Sequence, residues 1–174
     1  MKLKMWKVTP AAALLLVLTL TAPVRIAQGS SVQAQQRADE GEDRSTGLKL
    51  EGTWRVLVTI RVCQTGAEIR TFPSLVTFAR GGTMTETPTA ASPALRGPGH
   101  GVWEQTGADT YSQVFEAFTF NPAGAWTGTQ RVMHTVHIGR DRDELSSSGT
   151  NEIFDANGTL LVMGCSTAVG HRLE

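Results

Sequence analysis

From residue 48 onward, apolar and polar side chains alternate along one short segment after another. Trp54, Val56, Val58, Ile60 and Val62 fall on one face of an extended chain, while Thr53, Arg55, Thr59, Arg61 and Cys63 lie mostly on the other. No window of a dozen residues there carries a 3.6-residue apolar stripe, and the segments are rich in Val, Ile, Thr and aromatics, so the pattern predicts strands rather than helices. Breaks fall at Gln64–Ala67, Arg80–Gly82, Thr106–Asp109, Asn121–Gly124, Gly139–Asp143 and Asp155–Gly158, with a longer connection from Pro88 to Gly99. Gly, Pro, Asn and Asp each end a strand there by a local backbone preference. Seven connections imply eight strands, at about 53–63, 69–78, 83–87, 101–106, 110–120, 125–138, 144–154 and 159–172. Short links favour antiparallel neighbours, and an all-β, eight-stranded antiparallel up-and-down barrel leaves no exposed sheet edge. A two-sheet sandwich is the alternative.

Closure can be tested on parity. In the last strand Leu160, Val162, Gly164, Ser166, Ala168, Gly170 and Arg172 share a face, with Cys165 on the opposite one. If the first and last strands pair antiparallel, Trp54 meets Arg172 inside one end. A buried guanidinium needs a π face and backbone acceptors, so together these two form a structural plug.

Gly52-Thr53-Trp54 at the start of the first strand, with Arg172 near the end of the last, resembles the calycin superfamily, which includes the lipocalins. The resemblance spans about residues 50–173 and implies a calycin-like barrel binding a small molecule in its interior. Two features depart from the lipocalins: a short turn, not a long lid, follows the first strand, and no Thr-Asp-Tyr motif joins the sixth and seventh. The long loop here is Pro88–Gly99, which alternating strand direction places at the end away from Trp54; it is expected to cover an open mouth, with a plain surface excursion as the alternative.

The segment before the barrel reads differently. Lys2, Lys4 and Lys7 precede the apolar run Ala11–Leu20, which ends near Pro23, the order of a secretory signal spanning residues 1–29, with cleavage after Gly29 or as late as Ala34. The run is shorter than the ~20 residues that cross a bilayer, so no permanent membrane anchor is expected. Residues 30–47 are Ser, Gln, Asp, Glu, Arg and Gly with little to bury, a flexible leader before the barrel domain at 48–174. A secreted or periplasmic protein is expected, as a monomer.

Charge narrows the partners. Formal net charge is zero, but the first 34 residues hold four basic groups and no acid, leaving twelve basic against sixteen acidic groups, a net −4, in the remainder. Only Lys49 among the lysines lies there, so nothing clusters to neutralise phosphates, and nucleic acid is not an expected partner. In an oxidising compartment, Cys63 and Cys165 are candidates for a disulfide. Pairing Trp54 with Arg172 opposes Cys63 to Met163, and a shift of two residues is needed to oppose the cysteines. Reduced structural thiols are the alternative.

Candidate chemistry is sparse. His134 and His137, three apart on a strand, point to opposite faces and cannot grip one ion together, so no metal is expected. His134 shares parity with Trp126, Val132, Val136 and Ile138 and reads as an inward, hydrogen-bonded core histidine. His100, at the end of the long loop, and His171 read as surface groups. Glu86, Glu104 and Glu116 read as outward strand residues in water. There is no nucleophile elbow, phosphate loop or dinucleotide fingerprint, and no cofactor is expected. Phe115 and Phe118 have opposite parity, which implies a bulge or an outward aromatic.

The expected function is binding a small apolar or lipophilic molecule, with Phe72, Trp103, Tyr111, Phe115, Trp126 and His134 as the ligand-binding set and no catalytic residue. One rival is a barrel cyclase or isomerase using His100, Glu104, Tyr111 or His134 as acid or base. Another is a protein-binding or inhibitory module with a filled core.

Overall fold

The computed structural model describes residues 49–174. The expected signal segment and leader lie outside the described residues. Eight strands follow one another: β1 Gly52–Arg61, β2 Glu68–Ala79, β3 Thr83–Pro88, β4 Gly99–Gly107, β5 Thr110–Phe120, β6 Trp126–Ile138, β7 Glu144–Asp155 and β8 Leu160–Arg172. Each pairs antiparallel with its neighbour in sequence and β8 returns to β1, closing an up-and-down barrel. Among the described residues there is no helix, hence none long and apolar enough to cross a membrane.

Side chains of the connections set several turns directly. Asn121 Oδ1 accepts the backbone N–H of Ala123 and of Ala125, and Asp155 Oδ1 does the same for Asn157 and Thr159. These bonds replace the ladder where the chain reverses and fix the β5–β6 and β7–β8 hairpins.

The seam between β1 and β8 runs in one register from Trp54 opposite Arg172 to Arg61 opposite Cys165. In that register Cys63 has no strand partner, yet it forms a disulfide with Cys165 across a Cα separation of 5.0 Å. The two-residue shift weighed from sequence is unnecessary because β1 ends at Arg61. The chain then turns through Cys63, with Gly66 N–H donating to Val62 O and Val62 N–H to Ala67 O, and the turn carries the thiol back over β8.

Inward positions follow the pleat. Trp54 and Val56 on β1, Val76 and Phe78 on β2, Tyr111 and Phe115 on β5, and Val132 and Val136 on β6 join one buried cluster. At the opposite end from Trp54 the alternation is broken. Register shifts occur between Ile60 and Arg61, between Thr119 and Phe120 and between Ile153 and Phe154, leaving Ile69, Thr127 and Leu161 as extra residues opposite the pairs.

Candidate functional site: the barrel interior

One end of the barrel is sealed. Trp54 is fully buried and its Nε1–H donates to Leu50 O at 2.9 Å. The Arg172 guanidinium stands 4.2 Å from the centre of the Trp54 ring and donates to the carbonyls of Lys49, Glu51 and Arg142. Cation–π attraction and charge-assisted hydrogen bonds thus act on the same group. Gly52 belongs to this arrangement, since at φ +125° an added Cβ would lie 2.7 Å from Arg172 Nη1. Above this floor Trp103 meets Phe78 and Tyr111 edge-on at 6.0 and 5.8 Å, and its Nε1–H reaches the carbonyls of Ala79 and Thr83.

The remaining length of the barrel is hollow. A cavity of about 290 Å³ is walled by residues from β1, β2, β3, β5, β6, β7 and β8, among them Val58, Phe72, Phe115, Val132 and Ala168. Its size sits at the lower edge of ligand pockets, which run from ~300 Å³ upward. The connection between β3 and β4 covers it. That connection is tied on one side to β2, where Thr89 N–H donates to Pro73 O and the Arg70 guanidinium donates to Ala90 O. On the far side it is tied to β5 through Gly97 N–H to Phe118 O and Phe120 N–H to Leu95 O. Ala90, Ala91, Leu95 and Arg96 line the cavity from above.

Polar groups are built into this wall in two networks. In the first, Glu86 on β3 is only 6% exposed, a correction to the outward placement expected of it: it shares the inward parity of Met84. Its Oε1 accepts from Ser74 Oγ at 2.8 Å, and its Oε2 faces Arg96 Nη2 at 2.8 Å in an ionic contact rather than an aligned hydrogen bond. Arg96 Nε–H donates to Gln130 Oε1 at 2.6 Å and Nη1–H to Gly97 O at 3.1 Å. Burial pushes the Glu86 carboxyl above its ordinary value, against the Arg96 charge and the Ser74 hydroxyl, which pull it down.

The second network centres on His134. Its Nδ1 lies 3.0 Å from Ser147 Oγ and its Nε2 2.7 Å from Ser166 Oγ, and Asn151 Nδ2–H donates to the same Ser166 oxygen at 2.6 Å. Ser166 is on β8, two strands from β6, so the imidazole must cross β7. It does so over Gly149, which is paired with both His134 and Ser166, and where an added Cβ would lie 2.7 Å from His134 Cδ2. Burial lowers the His134 pKa to about 4, so the ring is neutral at physiological pH. Beside it, on the neighbouring strand, Gln113 is paired with His134 and only 7% exposed, and its Oε1 is buried without a hydrogen-bond partner among the described residues.

Of the six residues expected to bind ligand, Phe72, Phe115 and His134 line the cavity. Trp103 and Tyr111 do not, because they pack into the cluster above the Trp54 floor. Trp126 is 49% exposed and meets the outward Phe118 edge-on at 6.3 Å. The extra residue Thr127 breaks the parity that Trp126 shares with His134 and turns the indole out beside Phe118, which follows the regular pleat of β5 to the outside.

Of the four acid-base candidates only His134 lines the cavity. His100 and Glu104 lie on the outer face of β4, where Glu104 accepts from Ser112 Oγ, and Tyr111 is in the core, its phenol pushed up in pKa chiefly by burial. Glu116 pairs with Arg131 on the outside at 2.6 Å. Among the described residues no three His, Cys, Asp or Glu side chains are placed to hold a metal ion. Sequence reasoning placed Glu86 outward in water and passed over Arg96 and Gln113, although parity with Met84 and with Tyr111 and Phe115 was an available signal for the two strand residues. Compared with known proteins, the chain matches no family model and no curated sequence.

Proposed function

We propose that this protein is an exported calycin-like carrier that holds one small, mostly apolar molecule inside its barrel. One observation carries the reading: among the described residues the interior holds a cavity roofed by the β3–β4 connection, while Trp54 and Arg172 stopper the opposite end of the barrel. Barrels of eight strands have room for side chains or for one small ligand, and here much of the wall is aliphatic or aromatic. Export is supported by the charged and apolar opening of the chain and by the disulfide, which persists in oxidising compartments.

The protein-binding alternative called for a filled interior together with a large exposed apolar patch, and the enzyme alternative for a pocket holding two acid-base candidates within hydrogen-bond reach. The hollow interior, lined by one of those four candidates, favours carriage over both. Native mass spectrometry of the purified chain, followed by solvent extraction, tests the proposal. A reproducible adduct released as a lipophile supports it. Protein that is always empty and shows no thermal shift across a lipophile panel overturns it.

A further inference from the structure

We infer that the molecule the cavity accepts is electrically neutral and carries an alcohol hydroxyl, held between Gln113 and the Ser147–His134–Ser166 network; this rests on the carrier reading above. Charge comes first. Among the described residues the cation lining the cavity is Arg96, matched by Glu86 at 2.8 Å, with its other nitrogens donating to Gln130 and Gly97. A carboxylate entering this space would lose its hydration, meet no unpaired cation among the described residues and face the Glu86 charge. An ammonium is excluded on similar grounds, because Glu86 is already engaged by Arg96 and Ser74.

Counting hydrogens then gives the polar group. Ser147, His134, Ser166 and Asn151 share three contacts: serine to imidazole on each side, and the Asn151 amide to Ser166. A neutral imidazole has one N–H, so it donates on one side and accepts a serine proton on the other. The Asn151 amide fills the third contact. Whichever tautomer is present, one of the two serine hydroxyls keeps its proton for another acceptor. Gln113, paired with His134 on the adjoining strand, presents the complementary group, a buried Oε1 with no donor. One donor and one acceptor therefore flank the same imidazole, outside the Glu86–Arg96 network, whose charges are paired with each other. A hydroxyl accepts one hydrogen bond and donates another, and so serves both.

The test is titration calorimetry of the full mature chain with three ten-carbon probes: 1-decanol, decanoate and methyl decanoate, each also measured on Gln113→Leu. The expected order is the alcohol tightest, the ester weaker because it accepts but cannot donate, and decanoate at least ~tenfold weaker than the alcohol. Gln113→Leu should weaken the alcohol roughly fivefold and leave the ester unchanged. Should that variant fail to fold, the alcohol-to-ester ratio in the wild type decides alone. Decanoate binding as tightly as decanol, or ester and alcohol binding equally, overturns the inference while leaving the carrier reading intact. If none of the three binds but an apolar fluorescent probe does, the inference again fails alone; if the probe also fails, so does the carrier reading.

Discussion

Arg96 reaches from the β3–β4 connection into the barrel and stands 2.8 Å from Glu86, with both side chains 7% exposed. The roof is thus tied to the wall by a buried ion pair as well as by backbone bonds to β2 and β5. Removing one member strands the other as an uncompensated buried charge. Arg96→Met is expected to destabilise the protein by about 3–5 kcal/mol. The double variant Glu86→Leu with Arg96→Met should be less destabilised than Arg96→Met alone, because neither charge is left behind. Urea denaturation of the wild type, both singles and the double variant checks this as a double-mutant cycle.

The pH dependence of stability follows from His134. Its pKa is lowered from 6.5 to about 4 on folding, so between those values the unfolded chain binds a proton that the folded chain does not. The associated stability is fully present above about 6.5 and is lost as pH falls to about 4, by roughly 3 kcal/mol in all. Glu86 acts in the opposite sense: its raised value removes stability as pH rises through it. The measurement is therefore the difference between wild type and His134→Gln in urea midpoints across that range. The wild type should lose more stability than the variant as the solution is acidified.

Breaking the Cys63–Cys165 bridge frees a loop whose ends are 102 residues apart in sequence. Chain entropy alone assigns such a crosslink about 4–5 kcal/mol. Replacing both cysteines by serine should lower stability by roughly 2–5 kcal/mol without altering the β-sheet circular dichroism. Alkylation of the unreduced wild type should add no label, and labelling of both thiols would contradict the bridge.

Much of the barrel was legible in the sequence because its physics is local and periodic. Alternation from Trp54 to Ile60 marked the inward face of β1, turn residues marked all seven connections, and the parity of Trp54 and Arg172 anticipated the closing seam. The cavity was harder to read. Trp126 was placed inside by a parity that a single extra residue, Thr127, overturns, and a bulge leaves little trace in residue type. Trp103 and Tyr111 were correctly inward but sit in the filled half, because depth along the barrel depends on register between strands. Glu86 was assigned to water on the general rarity of buried carboxylates. Its partner, Arg96, lies in an irregular segment with no period to place it, so only coordinates bring the two together.

The central claim is that the hollow interior receives a guest. Ala168 on β8 lines that cavity, and Ala168→Phe would fill part of it. Titrating an apolar fluorescent probe into the wild type and into Ala168→Phe, with unchanged circular dichroism as the control for folding, tests the claim most directly. Saturable one-to-one binding by the wild type, weakened at least ~tenfold in the variant, is the expected result. Absence of saturable binding by the wild type, or equal binding by the two proteins, would contradict it.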